Sequence, residues 1–209
     1  MKQLAFFVDV SACSGCKTCQ MACKDKHDLP VGQLWRRVYE VAGGGWQARG
    51  PAWVSSVIAY LLSVGCNHCE RPICVEVCPS GAARKREDGI VLIDGERCLG
   101  CGYCRWACPY GAPQYDEAHG VMAKCHLCYD EIDAGRQPVC VTACPMRALE
   151  VGDLADLRSL HGAAADAYPL PPPSHTEPAL VIKPHPGAAT TDRPSFSIIN
   201  REEVGREGR

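Results

Sequence analysis

The chain has 209 residues, with 22 Lys and Arg against 24 Asp and Glu, and 16 of its residues are cysteines. This length accommodates one domain or two small ones, and the net charge of −2 gives no electrostatic reason to expect a nucleic-acid partner. No segment approaches the roughly 20 apolar residues that a membrane-spanning helix needs. Asp9 interrupts the N-terminal apolar run too early for an export signal. We therefore expect no membrane span and no export signal in this chain.

Three short strands are predicted in the first half of the chain. Arg36–Val41 alternates between polar and apolar residues and is followed by the turn Gly43–Gly45, a pattern typical of a strand that ends at a turn. The β-rich segment Val54–Val64 is predicted to pair with it. The segment Gly89–Asp94, rich in β-branched residues, predicts a third strand.

One helix and an extended tail are predicted in the second half. Asp153 is a candidate N-cap for a helix that carries Leu154, Leu157 and Leu160 on one face and ends near Gly162. From residue 168 to residue 194 prolines dominate the sequence. This composition predicts an extended tail that lies over a partner or over the body of the protein, rather than a further domain.

The cysteines form four groups of four. The groups are, in order, Cys13, Cys16, Cys19 and Cys23; Cys66, Cys69, Cys74 and Cys78; Cys98, Cys101, Cys104 and Cys108; and Cys125, Cys128, Cys140 and Cys144. Groups one and three have the spacing C-x2-C-x2-C-x3-C, whereas the middle gap is four residues in group two and eleven in group four. Groups two, three and four end in Cys-Pro. The pattern is an internal repeat built on ligands rather than on a hydrophobic face.

Three chemistries use cysteines in such numbers. Disulfides are disfavoured because the sequence predicts no export signal and because thiols two residues apart suit a metal better than a bridge. Zinc sites use two separated pairs and have no need of three cysteines at i, i+3 and i+6. The run C-x2-C-x2-C-x3-C-P is instead the signature of ferredoxins that hold two iron–sulfur clusters. The spacing therefore predicts iron–sulfur clusters, with zinc and disulfides as the alternatives.

In such ferredoxins each cluster takes three cysteines from one group and the last cysteine of the partner group. Groups two and three are adjacent, so we expect them to pair with each other and groups one and four to pair around them. Four [4Fe-4S] clusters are then predicted, with the ligands Cys13, Cys16, Cys19 and Cys144; Cys125, Cys128, Cys140 and Cys23; Cys66, Cys69, Cys74 and Cys108; and Cys98, Cys101, Cys104 and Cys78. Tandem pairing of group one with two and of three with four is the alternative.

This pairing predicts an α+β fold made of two ferredoxin-like units that each hold two clusters. The outer unit, residues 1–50 and 116–165, encloses the inner unit, residues 51–115, and the Pro-rich tail occupies residues 166–209. The sequence shows no nucleophile–base pair or other catalytic constellation, so we expect a protein that carries electrons and has no catalytic residues of its own.

Several other side chains lie close to the cysteines in sequence. His68 and His126 fall inside C-x2-C loops, and we expect them at the surface or beside the ligands rather than as ligands. The residues expected to flank the clusters and tune their potentials are Pro79, Ser80, Tyr103, Trp106, Pro109 and Tyr110.

Two further groups of side chains have a structural interpretation and an alternative in molecular interaction. Trp35, Trp46 and Trp53 are expected in the core, with a subunit interface as the alternative. The basic run at residues 84–86 is expected on a solvated face, with a docking contact as the alternative.

The motifs SACSGCKTCQMACKDKHD, RRVYEVAGGGW, CNHCERPICVEVCPSGA, CLGCGYCRWACPYGAPQYD and KCHLCYDEIDAGRQPVCVTACPMRALEVG carry a family resemblance. The chain resembles the iron–sulfur (B) subunits of dimethyl sulfoxide reductases, within the four-cluster ferredoxin subunits of molybdopterin oxidoreductases. The likeness extends into the tail at LVIKP, residues 180–184. It implies a complex with a molybdenum bis-pterin catalytic subunit and a membrane-anchor subunit that oxidises quinol.

The resemblance also implies an order of clusters between these partners. The cluster of Cys13 is expected nearest the molybdenum subunit, followed by those of Cys125 and Cys66, and the cluster of Cys98 is expected to face the membrane subunit. Nitrate-reductase relatives have tryptophan at the position of Cys101 and hold a three-iron cluster there, so Cys101 implies a complete [4Fe-4S] cluster in this chain.

By the same resemblance, the complex is expected on the periplasmic face of the cytoplasmic membrane, exported together with its catalytic subunit, with the cytoplasmic face as the alternative. The terminal acceptor and the direction of electron flow are properties of the partners. The alternatives are the same role in a polysulfide, thiosulfate or tetrathionate reductase or in a dehydrogenase, a free-standing soluble polyferredoxin, and a zinc-stabilised adaptor.

Overall fold

The computed structural model describes residues 2–189 and 196–205. In chain order, its strands and helices are Leu4–Asp9 (β1), Thr18–Lys26 (α1), Arg37–Gly43 (β2), Trp46–Arg49 (β3), Ala52–Ser55 (β4), Ile58–Val64 (β5), Ile73–Glu76 (α2), Ala83–Lys85 (β6), Val91–Ile93 (β7), Tyr103–Ala107 (α3), Gln114–Asp116 (β8), Val121–Ala123 (β9), Tyr129–Asp133 (α4), Val139–Thr142 (α5), Leu149–Asp153 (β10), Leu154–His161 (α6), Leu180–Lys183 (β11), Ser197–Ile198 (β12) and Arg201–Val204 (α7). Short 3-10 turns occupy Gly95–Arg97, Pro173–His175 and Pro186–Ala189.

The first sheet has the strand order β10-β1-β11. Strand β1 is antiparallel to β10 and parallel to β11, so it is the central strand. Its sequence LAFFV is continuously apolar, as expected for a strand that is buried on both faces. Phe6 and Val8 enter the main core, whereas Ala5 and Phe7 pack against α6 and Val181.

Helix α6 begins where the sequence predicts. The carboxylate of Asp153 accepts a hydrogen bond from the backbone N–H of Ala155, which confirms Asp153 as the N-cap. Leu154 and Leu157 are buried, but Leu160 is 72% exposed, so its predicted place on the buried face is wrong. His161 occupies that face instead, because it follows Leu154 by seven positions, and its ring stacks on Phe7 with 3.7 Å between centroids.

The second sheet has the strand order β12-β2-β5. Strands β2 and β5 are antiparallel over their whole length, from the pair Arg37 and Val64 to the pair Gly43 and Ile58, so the predicted pairing is confirmed for β5. Val54 belongs instead to β4, which forms a separate hairpin with β3. The turn between β2 and β3 requires glycine at Gly44, because φ is +80° and a Cβ there would lie 2.0 Å from the Ser56 carbonyl oxygen.

Part of the segment predicted as a tail is an element of the body. Leu180, Val181 and Ile182 are buried, and β11 pairs with β1 as an edge strand of the first sheet. This stretch is extended and lies against the body, as one of the two predicted alternatives has it, but it does so as a paired strand, because the apolar run LVI finds an apolar partner strand despite the surrounding prolines. The remaining parts of the predicted tail at residues 190–195 and 206–209 lie outside the described residues.

The predicted boundary between residues 50 and 51 does not coincide with a gap in packing, because the sheet formed by β2 and β5 crosses it. The main hydrophobic core likewise draws on all three predicted segments, for example through Val8, Leu62 and Ile182. None of the helices in the described residues is long and apolar enough to cross a membrane.

Candidate metal centres

The thiols of Cys13, Cys16, Cys19 and Cys144 surround one cavity, with about 350 Å³ of empty space. Cys13 and Cys16 lie on the turn that leads into α1, Cys19 lies in the first turn of α1, and Cys144 lies just after α5. The turn is tight because Gly15 and Lys17 have left-handed backbone conformations. A Cβ on Gly15 would also lie 2.4 Å from the Leu61 side chain, so glycine is required there. We call these four cysteines quartet one.

Quartet two consists of Cys23, Cys125, Cys128 and Cys140, and all four are buried. Cys23 lies on α1, and Cys140 lies on α5, which packs against α1. Burial raises the pKa of the Cys23 thiol, and the neighbouring thiols of Cys125, Cys140 and Cys128 raise it further. One side chain from group one therefore lies among three from group four.

Quartet three consists of Cys66, Cys69, Cys74 and Cys108, which line a cavity of about 350 Å³. Cys74 lies on α2, and Cys108 caps the C-terminal end of α3. Quartet four consists of Cys78, Cys98, Cys101 and Cys104, which line a cavity of about 300 Å³.

The structure thus brings together thiols from groups one and four, and thiols from groups two and three. In each case the last cysteine of one group lies with three cysteines of the other. All sixteen thiols are free. In residues 2–189 and 196–205, no three His, Cys, Asp or Glu side chains converge closely enough to hold a single metal ion. The thiols of quartets one, three and four surround a cavity and do not converge on the position of a single ion.

Burial dominates the chemistry of these thiols. It raises the pKa of Cys69, Cys74 and Cys128 to about 12 and that of Cys104 and Cys125 to about 11, because the thiolate form is poorly solvated in the interior. A cationic metal group that binds these sulfurs must displace the thiol protons. Its positive charge then compensates the negative charge of the buried thiolates. Buried, soft sulfur ligands around a cavity of several hundred Å³ fit an iron–sulfur cluster.

The quartets follow one another in space. Cys19 of quartet one interacts electrostatically with Cys140 of quartet two, and Cys125 of quartet two does so with Cys66 of quartet three. Cys74 of quartet three and Cys104 of quartet four share a small hydrophobic cluster with Val91 and Met122. The spatial order is therefore one, two, three, four.

The two ends of this series reach the surface. Cys16 in quartet one and Cys101 in quartet four are exposed. Apolar side chains flank both: Met146 lines the first cavity and is partly exposed, and Leu99, which lines the fourth, is 71% exposed. The middle quartets have no exposed cysteine.

Among the side chains predicted to flank the cysteines, Pro109 and Tyr110 line the third cavity. Pro79, Ser80 and Tyr103 line the fourth. The Ser80 hydroxyl lies 3.7 Å from the Cys78 sulfur. Burial raises the pKa of Cys78, but hydrogen bonds from the Ala83 N–H and the Ser80 hydroxyl outweigh that effect and lower it.

Trp106 is exposed and does not line the fourth cavity. Thr176 was not predicted, because it lies in the Pro-rich segment far from any cysteine group. Its hydroxyl nevertheless donates a hydrogen bond of 3.3 Å to Tyr110 and lines the third cavity.

The two loop histidines differ in burial. His68 is buried, accepts a hydrogen bond from the Val91 N–H at Nδ1, and has Nε2 3.9 Å from the Cys125 sulfur. His126 is half-buried and packs edge-on against Trp35 with 5.5 Å between ring centroids. The expected position beside the cysteines therefore agrees with the geometry for His68, and a surface position is wrong for that residue.

The tryptophans divide into two kinds. Trp35 packs against the main core and His27. Trp46 and Trp53 stand on the β3–β4 hairpin and are 66% and 67% exposed, so the prediction of core packing is wrong for both. In the basic run, Arg84 is exposed as expected, whereas Arg86 forms ion pairs with Asp88 and Asp133.

Comparison with known proteins agrees with this geometry. Residues 57–154 match the family model of a 4Fe-4S dicluster domain. This part of the chain is therefore a ferredoxin-like domain of the 4Fe-4S dicluster type, with small sheets and short helices.

The chain is 50% identical over 202 residues to the B subunit of the anaerobic dimethyl sulfoxide reductase of Escherichia coli, covering 97% of this chain and 98% of that protein. It is 46% identical to the corresponding B subunit of Haemophilus influenzae, covering 98% and 100%. It is also 39% identical to a thiosulfate reductase electron transfer subunit of Salmonella typhi, covering 73% and 77%. The chain belongs to the family of the iron–sulfur B subunits of anaerobic dimethyl sulfoxide reductases.

Proposed function

We propose that this chain is a non-catalytic electron-transfer subunit that holds four [4Fe-4S] clusters, one in each quartet. Quartets one and two form an outer ferredoxin-like unit from cysteine groups one and four, and quartets three and four form an inner unit from groups two and three. The observation that carries the proposal is the arrangement of sixteen free thiols in four sets. Each set combines three cysteines of one group with the last cysteine of the partner group, as in ferredoxins that hold two clusters.

A bound [4Fe-4S] cluster supplies a reversible one-electron couple. The protein's own contribution is to hold the thiolates, to exclude water from the middle quartets and to present the two end quartets at the surface. The linear order of the quartets supports a relay between two partners, because Cys16 and Cys101 are the exposed members at opposite ends of the series.

The proposed partners are a molybdenum bis-pterin catalytic subunit at quartet one and a quinol-oxidising membrane-anchor subunit at quartet four. The names of the relatives support this assignment, because they describe subunits of reductase complexes. Exposed apolar side chains beside Cys101, such as Leu99 and Tyr103, suit a docking surface. The catalysed reaction is proposed to be the reduction of dimethyl sulfoxide or an N-oxide by the catalytic partner.

A second candidate is the same electron-transfer role in a different complex. The thiosulfate reductase relative favours it, since 39% identity over 73% of the chain indicates that one scaffold serves more than one catalytic partner. Replacing the electron acceptor in an assay of the purified complex separates the candidates: turnover with dimethyl sulfoxide supports the first, and turnover with thiosulfate alone supports the second.

For location we propose the periplasmic face of the cytoplasmic membrane, reached by export together with the catalytic subunit. Protease treatment of spheroplasts tests this: degradation of the chain in intact spheroplasts supports the outer face, whereas protection until the membrane is broken places it on the cytoplasmic face.

The main test is anaerobic purification of the chain with the proteins that bind it, followed by metal analysis and EPR spectroscopy. About sixteen iron atoms per chain are expected, four for each cluster, together with a molybdenum-containing partner. Zinc in place of iron, or about eight iron atoms, would contradict the cluster assignment. Isolation of a fully loaded chain without any partner would support a soluble polyferredoxin instead.

A further inference from the structure

Two basic side chains are buried in the interior of the cysteine-rich body. Arg36 is 1% exposed and Lys124 is 3% exposed. Neither forms an ion pair with a carboxylate in the part of the chain that the structure describes. A buried charge without a counter-charge is costly, so each of these cations requires a source of negative charge nearby.

Arg36 lies at the junction between quartets one and two. Its Nη1 donates a hydrogen bond of 3.2 Å to the Ser63 hydroxyl, which lies 3.3 Å from the Cys19 sulfur. The guanidinium carbon lies 4.3 Å from the centroid of the Phe6 ring. Nη2 is buried and has no hydrogen-bond partner, so one donor of this guanidinium remains available inside the body.

The guanidinium of Arg36 lies close to sulfurs of two quartets. The sulfurs of Cys140, Cys19, Cys125 and Cys23 are near enough to interact with it electrostatically. Three of these sulfurs belong to quartet two and one belongs to quartet one.

Lys124 lies at the next junction, between quartets two and three. Its ammonium donates hydrogen bonds to the carbonyl oxygens of Val91 and Cys125, the second at 3.1 Å, and the side chain lines the third cavity. The side chain thus lies near the sulfurs of Cys66 and Cys74, which line the same cavity, and of Cys125, the next residue in the chain. Two of these sulfurs belong to quartet three and one belongs to quartet two.

Quartet four differs from the other three. The residues that line its cavity include no lysine or arginine. The two buried cations therefore lie at the first two of the three junctions, and quartet four provides an internal reference in the same molecule.

We propose that Arg36 and Lys124 set the reduction potentials at these junctions, Arg36 for quartets one and two and Lys124 for quartets two and three. The proposal rests on the presence of the four clusters. Four thiolates make such a site negatively charged, and reduction adds one more negative charge. A fixed cation in a low-dielectric interior stabilises the reduced form more than the oxidised form, and so raises the potential.

The test uses the holo-chain in its purified complex, with redox titrations followed by EPR. Ligand variants Cys16→Ser and Cys101→Ser first identify the signals of quartets one and four. Arg36→Met is expected to lower the potentials of quartets one and two, with a roughly tenfold shift in the one-electron equilibrium at quartet two, equivalent to about 59 mV. Lys124→Met is expected to lower those of quartets three and two. Quartet four should be unchanged in both variants.

Charge-preserving variants separate the charge from the shape of the side chain. Arg36→Lys and Lys124→Arg are expected to keep the reduction potentials close to those of the wild type. The one-electron reduction equilibrium of each cluster should change by no more than about threefold. Unchanged potentials in both methionine variants would overturn the proposal, and so would an equal shift in all four quartets, which would indicate a general loosening of the fold.

Iron content distinguishes the remaining outcomes. Wild-type protein with zinc or with half the expected iron would overturn the proposed function itself, independently of the variants. If Arg36→Met and Arg36→Gln lose iron while Arg36→Lys retains it, the charge is needed for cluster assembly, and the proposal that it tunes an assembled cluster is overturned for that site. The same comparison applies to Lys124→Met and Lys124→Arg.

Discussion

The ammonium of Lys183 lies 2.8 Å from the carboxylate of Asp9, although 174 positions separate the two residues. This ion pair joins the ends of the paired strands β1 and β11. It is largely solvent-accessible on the lysine side, so it contributes at most about 1 kcal/mol. The larger contribution to holding β11 against β1 comes from the apolar side chains that the two strands bury.

Shortening a buried side chain of β11 should therefore destabilise the whole protein. Ile182 is 1% exposed in the main core, and Ile182→Ala is expected to lower the free energy of unfolding by about 2–5 kcal/mol. Anaerobic urea unfolding of the holo-protein, followed by far-UV circular dichroism, measures the loss. Leu160→Ala on the exposed face of α6 is the matched control and should change it by less than about 0.5 kcal/mol. A similar small effect at Ile182 would mean that β11 is dispensable.

The exposed ligand of quartet four offers a test of the cluster type. Replacing Cys101 by serine removes one of four sulfur ligands, so Cys101→Ser is expected to convert that site to a three-iron cluster and to obstruct quinol oxidation. EPR of the oxidised complex detects the three-iron form, and stopped-flow mixing with quinol measures the rate. An unchanged spectrum together with an unchanged rate would contradict the ligand assignment.

The hydroxyl of Ser80 is expected to tune the potential of the same quartet. A hydrogen bond to a ligand sulfur withdraws negative charge, so Ser80→Ala should lower the potential of quartet four, by less than a tenfold change in the one-electron equilibrium. Potentiometric EPR measures the shift. Ser159→Ala, an exposed position on α6, is the control. If all four clusters in Ser80→Ala kept the midpoint potentials that they have in the wild-type protein, this role would be excluded.

Removal of iron should unfold the chain. The main hydrophobic core contains five buried cysteines that are proposed as ligands, Cys19, Cys66, Cys125, Cys140 and Cys144. A bound cluster links distant segments of the chain through these cysteines. Without it, the core contains only protonated thiols, and that link is lost. Anaerobic chelation is expected to abolish the native far-UV circular dichroism, and reconstitution with iron and sulfide should restore it. Retention of the native spectrum after complete loss of iron would show that the polypeptide folds by itself.

The features that could be predicted from the sequence are those encoded by local spacing. The N-cap at Asp153 and the strand within Gly89–Asp94 depend on a few adjacent residues, and both are present in the structure. The cysteine groups are equally local, since a C-x2-C turn positions sulfurs without help from the rest of the chain. Local spacing is therefore sufficient to indicate the class of cofactor.

The features that the sequence did not reveal depend on contacts between distant segments. Strand β11 forms in a Pro-rich stretch because its partner strand lies at the N-terminus. Arg36 and Lys124 resemble ordinary surface cations in the sequence and become buried only through tertiary packing. Leu160 fits an apolar spacing of three, but the helix turns by 3.6 residues, so His161 takes its place against Phe7.

The participation of Cys144 in the first cavity has a consequence for biosynthesis. The ribosome releases Cys13, Cys16 and Cys19 early, but the set they form with Cys144 stays incomplete until most of the chain has been translated. The four cysteines of the third cavity are complete sooner, once Cys108 has been translated. A message truncated between these two codons would yield a polypeptide that has every sulfur of the inner pair and an incomplete outer pair.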